Sequence, residues 1–243
     1  MRDLLDSHTH TLMSGHAYSS IGEMLKAAKE KDLELIAFTE HAPGMPDTTS
    51  AAYFSNLKIM PRRRDGLWTL YGVELNILDR KGTVDLDENI LKLMDVGIAS
   101  IHPNTYQIES DQDDNTAACI RAMMNPFVNI IGHPDDSRFP VNYGELVRAA
   151  KAYHVLLEVN NSSFQETSYR VNTRENCRHM LSYCKKYDQP IIINSDAHVD
   201  LLVGDHADAW ELIREVDFPE RLVVNTDLDL YFDYVNYNQI FSL

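Results

Sequence analysis

Seven of the ten histidines in this 243-residue chain, together with Glu74 and Asp196, stand just past the ends of apolar runs that recur at nearly even spacing. The first such residue after each run is His10, His41, Glu74, His102, His133, the pair Asn160-Asn161, and Asp196. The steps between them are 31, 33, 28, 31, 27 and 36 residues, each the length of one strand, one helix and two loops. A parallel barrel delivers side chains from all along a chain to one face, at the ends of its strands. A packed core gives no reason for imidazoles to recur at those ends, so the spacing points to a metal site as well as to a fold.

The length and a hydrophobic fraction of 44% suit one large α/β domain over 1–243, with no linker to divide it. Acidic residues outnumber basic ones, 37 to 22, for a net charge of -15. That balance argues against nucleic acid and anionic membranes as partners, and bound metal ions would offset part of it. Cys119, Cys177 and Cys184 are too few for a disulfide framework or a cysteine metal site and are expected to be buried packing residues. With no secretory segment at the start and no run of transmembrane length, a cytoplasmic protein is expected.

The apolar runs predict strands over 3–9, 33–39, 68–76, 96–101, 127–132, 155–159 and 190–194. Helices are predicted over 21–31, capped by Ser20 with Glu23 near its start, and over 116–124, 141–154, 174–186 and 207–216. Residues 42–66 form the longest irregular connection, carry Arg62-Arg63-Arg64, and are a natural place for substrate contacts. The aromatic tail of Tyr231, Phe232, Tyr234, Tyr237 and Phe241 is expected to cover the barrel's outer wall, with a partner surface as the second reading.

His8-Thr9-His10 places two imidazoles on one side of a strand, because side chains alternate with period two, and Asp196-Ala197-His198 repeats that geometry at the far end of the chain. Closing a barrel would make the four neighbours. Glu74 lies inside an apolar stretch where an ionised carboxylate is costly unless paired or bound to a cation, and its two oxygens could bridge two metals. His102-Pro103 and His133-Pro134 end matched strands, which favours ligands over turn residues. His154, His179 and His206 have no expected role.

The set His8-Thr9-His10, His16, Thr39-Glu40-His41, Glu74, His102, His133 and Asp196-Ala197-His198 resembles the metal signature of the PHP (polymerase and histidinol phosphatase) family, from His8 to about Val224. Residues 16–19, 157–163 and 217–219 are similar to its small stand-alone, YcdX-like phosphatase branch. The resemblance implies a distorted (β/α)7, TIM-like barrel with three divalent ions, usually zinc, at the C-terminal ends of the strands. It implies one ion on His8, His10, Glu74 and Asp196, a second sharing Glu74 with His102 and His133, and a third on His16, His41 and His198. One departure stands out: the family commonly has Asp where this chain has Glu40, which puts any contact of that shorter carboxylate in doubt.

Imidazole and carboxylate ligands without thiolates suit zinc, and also manganese or iron. Such ions lower the pKa of a bound water, orient the resulting hydroxide and neutralise phosphoryl charge, so no nucleophilic side chain is required. Glu74 and Asp196 would then carry the catalytic centre, and a nearby cation should hold the phosphate. Arg62 and Arg138 are the candidates, with a solvated basic loop as the competing reading of 62–64. Strand six supplies no metal ligand, which leaves Asn161 beside Asn160 to orient substrate or water, or to cap the loop. The expected function is a phosphatase acting on a small phosphorylated metabolite, histidinol phosphate being one possibility. A phosphodiesterase or exonuclease of the same chemistry, and a non-catalytic metal-binding module, are the alternatives. The aromatic tail and the resemblance suggest a homo-oligomer.

Overall fold

The computed structural model describes residues 2–106 and 110–237, so Phe241 of the aromatic tail lies outside the described residues. Eight strands follow one another as β1 (Leu5–Thr9), β2 (Leu35–His41), β3 (Arg63–Arg64), β4 (Leu67–Asn76), β5 (Gly97–Ser100), β6 (Ile130–Ile131), β7 (Leu156–Asn160) and β8 (Ile191–Asn194). The helices are α1 (Ile21–Glu30), α2 (Ala51–Asn56), α3 (Glu88–Leu91), α4 (Gln112–Ala122), α5 (Tyr143–Tyr153), α6 (Thr173–Tyr187), α7 (Ala207–Glu215) and α8 (Leu228–Tyr234). Strands β1, β2, β4, β5, β6, β7 and β8 pair in that order and in parallel, while β3 is a short antiparallel appendage on the start of β4.

The result is a nearly closed seven-stranded parallel barrel. The end of the first strand meets the segment just past the last at an isolated bridge between Thr9 and Ala197. Below it, Asn225 works as a surrogate strand: its amide donates to Leu5 O at 3.1 Å and Ile193 O at 2.7 Å, and its Oδ1 accepts from Ile193 N at 2.8 Å. Unpaired backbone groups at a sheet edge are costly when buried, and one asparagine satisfies three of them here.

Alternation along each strand divides the core in two. Leu5, Leu35, Leu70, Ile98, Ile130, Leu156 and Ile192 fill the barrel's interior near the strand starts, while residues such as Ile36, Phe38, Tyr71 and Val73 face outward to the helices. On α1 the capping box of Ser20 and Glu23 sets the start, and Met24, Leu25 and Ala28 face the sheet. Cys119, Cys177 and Cys184 are buried and unpaired, as expected. No helix among the described residues is long and apolar enough to cross a membrane.

The aromatic tail corrects an expectation. It does not cover the outer wall, because α8 plugs the barrel's lower mouth, with Tyr231 fully buried among Leu5, Leu35 and Leu70. Interior side chains at the strand starts need an apolar lid, and a short aromatic helix fits an opening that a strand pattern cannot close.

His206 also has a role that the sequence did not suggest. It is 3% exposed, with Nδ1 at 2.6 Å from Asp3 Oδ2 and Nε2 at 3.6 Å from Asp6 Oδ1, and Trp210 donates to the same Asp3 oxygen at 2.7 Å. Burial alone would push this imidazole down, but Asp3 and Asp6 outweigh it and raise its pKa from 6.5 to about 10. A pKa raised on folding contributes stability that is complete below pH 6.5 and lost as pH rises through 10. We therefore expect His206→Gln to lower Tm by on the order of 5 °C at pH 6.5. The gap to wild type should narrow steadily up to pH 10, as followed by thermal melts across that range; a gap independent of pH would refute the ion pair.

Candidate active site and metal centre

Nine side chains from the strand ends converge above the interior core. His8 and His10 leave β1, His41 ends β2, Glu74 lies near the end of β4, and His102 and His133 follow β5 and β6. Asp196 and His198 follow β8, and His16 enters from the turn after β1. Two local devices aim them. In β1, residues 6 to 9 face residues 36 to 38 of β2, so the strand carries one extra residue. This bulge turns His8 and His10 inward, although Asp6 points outward to His206; simple alternation would put all three on one face. His133 and Asp196 have φ of 28° and 55°, left-handed backbone that histidine and aspartate adopt more readily than most residues, so the chain turns sharply where each leaves its strand.

Glu74 is the hub. Its Oε1 lies 3.1 Å from His102 Nε2 and 3.0 Å from His133 Nε2. Its Oε2 lies 2.7 Å from His41 Nδ1, 3.4 Å from His8 Nε2 and 3.5 Å from His10 Nε2. Asp196 Oδ1 faces the same two nitrogens, at 3.7 Å and 3.4 Å. His16 Nε2 is 3.2 Å from both His41 Nε2 and His198 Nε2.

The outer hydrogen bonds of these rings decide which nitrogen carries the proton. Glu158, fully buried in β7, accepts from His8 Nδ1 at 2.7 Å, Asn194 Nδ2 at 2.8 Å, His133 N at 2.7 Å and Asn160 Nδ2 at 3.0 Å. A carboxylate only accepts, so His8 carries a proton on Nδ1, and Nε2 is the nitrogen that a cation could take. His102 Nδ1 donates to Asn76 Oδ1 at 2.7 Å, the amide being oriented by its own donation to Asp85. His198 Nδ1 donates to the Asp196 carbonyl at 2.9 Å. In each case Nε2 is the nitrogen turned toward the other imidazoles and the carboxylates.

Buried His8 Nε2, His10 Nε2, His41 Nδ1 and Glu74 Oε2 have no hydrogen-bond partner. Buried polar atoms without partners are expensive, and this set consists of good donors for divalent cations. Three overlapping groups, His8-His10-Glu74, His41-Glu74-His102 and His10-His41-His198, each hold their ligand atoms within 4.8 Å of one another. Burial with His41 and His198 nearby pushes the imidazoles of His10 and His16 down, the latter to about 4, so both are neutral and able to ligate at pH 7. The residues fit a metal centre.

A cavity of about 720 Å³ opens over this cluster. Its walls include Met45, Pro46 and Asp47 from the long connection. The arginines are another matter. Arg62 corrects its expectation: it sits at the opposite end of the barrel, 2.8 Å from Asp95 Oδ2, and donates to the carbonyls of Leu57 and Met60 at 2.8 and 2.7 Å. Arg138 is held by Asp136 and lies over the ring of Tyr169, one side chain removed from the cavity wall. Asn161 points away: its Oδ1 accepts from Ala209 N at 2.9 Å and ties the loop to α7.

Two residues that were not singled out stand at the site. Arg170 lines the cavity with its side chain buried, and donates to Asp196 Oδ2 at 3.0 Å, Asn160 Oδ1 at 3.2 Å and Ser163 Oγ at 3.1 Å. Burial opposes its charge, but Asp196 overcomes this and raises its pKa further. Nothing in its loop sequence marks it. Glu158 could have been found, since a glutamate within the apolar run 155–159 raises the same question as Glu74. Behind Arg170, Asp135 accepts from Ser163 Oγ at 3.2 Å, and burial pushes its carboxyl up to about 7.

Over most of its length the chain is similar to known proteins. The PHP domain model matches residues 6–217. A protein of Thermoanaerobacter sp. (strain X514) named "Probable phosphatase" is 42% identical over 235 residues, covering 97% of this chain and 95% of its own. A Clostridium novyi protein of the same designation is 41% identical over 232 residues, covering 93% and 92%. Histidinol phosphate phosphatase from Lactococcus lactis, solved with zinc, L-histidinol and phosphate, superposes with a TM-score of 0.62 at 20% identity, covering 89% of this chain and 95% of its own. That likeness concerns the TIM-like barrel. With a family match over most of its length and near-full-length relatives that are phosphatases by name, the chain belongs to the PHP domain family and is a metal-dependent hydrolase of phosphoric ester bonds.

Proposed function

We propose that the chain hydrolyses phosphate monoesters of a small phosphorylated metabolite, using three divalent ions of which zinc is the leading choice. The observation that carries this reading is the convergence of imidazole lone pairs on Glu74 and Asp196 beneath an open cavity. One ion would be held by His8, His10, Glu74 and Asp196, a second by Glu74, His102 and His133, and a third by His16, His41 and His198. Bound there, the ions would activate water and neutralise phosphoryl charge. Glu74 and Asp196 supply the negative charge that seven imidazoles lack. Zinc has support from its presence in the Lactococcus structural neighbour, whose product-like ligands are L-histidinol and phosphate.

Arg170 would hold a phosphoryl oxygen. It is the buried arginine at the cavity wall, and Asp196, Asn160 and Ser163 fix its guanidinium in place before substrate arrives. Asn104, Gln165 and Thr167, which also line the cavity, would offer neutral hydrogen-bonding groups to the alcohol that leaves. Arg170→Ala is expected to lower kcat/KM for a monoester by about 10²-fold with metal content retained. Equal kcat/KM in variant and wild type would remove Arg170 from the phosphate site.

The test of function compares hydrolysis of p-nitrophenyl phosphate with that of bis(p-nitrophenyl) phosphate by metal-analysed protein, before and after chelation. Faster monoester cleavage that chelation abolishes is the expected result. Faster diester cleavage would make the chain a phosphodiesterase, and a fully loaded protein inert toward a broad ester panel would make it a metal-binding module.

A further inference from the structure

Glu40 is buried at 1% exposure on the outward side of β2, and every acceptor position it uses is filled from one turn. Its Oε1 accepts from Thr11 Oγ1 at 2.6 Å, and its Oε2 accepts from Thr11 N at 2.9 Å and Ser14 Oγ at 2.7 Å. The Ser14 hydroxyl has two further neighbours, His41 N at 3.1 Å and His10 Nδ1 at 3.0 Å. A hydroxyl has one proton to give and two lone pairs to receive. The backbone N–H of His41 can only donate, and the carboxylate can only accept. The proton of Ser14 therefore goes to Glu40, one lone pair takes the His41 N–H, and the other is left for His10 Nδ1. His10 Nδ1 must be the donor.

We infer that Glu40 is a positioning residue for the metal centre: through the Ser14 hydroxyl it keeps the His10 proton on Nδ1 and aims the Nε2 lone pair at the space between Glu74 and Asp196. His10 has neither an acidic partner nor a carbonyl on Nδ1, unlike His8 and His198, whose tautomers are set directly by Glu158 and by the Asp196 carbonyl. The relay replaces that missing acceptor. It also joins two ligand-bearing strands, since the same hydroxyl oxygen receives the His41 amide from β2. The length of the glutamate matters, because its carboxylate must span from β2 to the Thr11–Ser14 turn. The inference rests on the metal reading proposed above.

Zinc affinity provides the test, measured by competition with a chromophoric chelator on the full-length chain, alongside a long-range ¹H–¹⁵N spectrum of histidine-labelled, zinc-loaded protein. Ser14→Ala breaks the relay at its centre, and Glu40→Asp, a milder change, shortens it by one methylene. Thr11→Val removes the Thr11 hydroxyl bond to Glu40 but leaves Ser14 in place, so it reports what loosening the turn does by itself.

Both relay variants are expected to weaken zinc binding by about 10- to 100-fold. Thr11→Val should lower Tm with affinity within about threefold of wild type. In wild type the spectrum should show His10 protonated at Nδ1. Unchanged affinity in Ser14→Ala and Glu40→Asp, or an equal loss in Thr11→Val, would overturn the role of Glu40. A wild-type protein that binds no zinc would overturn the metal reading itself, and that outcome is visible before any variant is made.

Discussion

Glu74→Gln is expected to lower kcat for a phosphomonoester by about 10³-fold or more, with metal content falling in parallel. The substitution keeps the shape of the side chain, so packing against β2 and β5 survives. What changes is charge and donor chemistry. Five imidazoles face its two oxygens: His102 and His133 at one, His41, His8 and His10 at the other. An amide offers one weak oxygen ligand and presents an NH2 group to lone pairs on the other side. Burial opposes ionisation of Glu74, but His102, His8 and His41 hold its carboxyl well below the usual range, so the carboxylate is the form that the site selects. The check is elemental analysis beside steady-state kinetics, with circular dichroism to confirm the fold. A variant with full metal content and kcat within tenfold of wild type would remove Glu74 from the centre.

Arg62→Ala is expected to destabilise the fold by about 3 kcal/mol while leaving kcat/KM unchanged at temperatures where the variant is folded. The guanidinium is buried, pairs with the fully buried Asp95 at 2.8 Å, and lies 5.3 Å from the ring centroid of Tyr71. Removing it leaves a carboxylate without its cation. The cost falls at the low end for a broken buried pair because Asp95, already pushed up by burial despite Arg62, can take a proton. Asp95 also accepts from Tyr71 N at 2.8 Å, so part of its hydrogen bonding survives. Urea denaturation gives the stability change and an ester assay gives the kinetics. A raised KM with unchanged stability would return Arg62 to the substrate site.

Arg62 and Arg170 show where a linear reading stops. Arg62 stood in a loop expected to reach the substrate, and the first part of that loop does line the cavity, through Met45, Pro46 and Asp47. Its later residues turn back along β4 to the opposite end of the barrel, where Arg63 pairs with Trp68. Composition cannot tell which half of a loop does which. Arg170 lies in a segment without periodicity, and its importance comes from Asp196, 26 residues away, and from Asn160 and Ser163 at the end of β7. Asn160 and Asn161 are adjacent in the chain, yet one faces the site and the other faces α7. Only the turn after β7 separates them.

The strand-end rhythm determined most of the rest from sequence alone. An apolar run folds as a buried strand, and the residue that follows it is bound by one peptide link to emerge at the strand's end. Those covalent constraints were enough to mark seven strands and the barrel, and the family resemblance completed the set of nine candidate ligands with residues such as His16. The tertiary structure decided what depends on contacts between distant parts of the chain: the β1 bulge that turns His8 inward, the proton on its Nδ1 set by Glu158 150 residues later, the α8 plug, and the placing of Arg170 rather than Arg62 at the cavity. A side chain's direction beyond a strand, and the nitrogen that carries a proton, depend on partners that the local sequence does not contain.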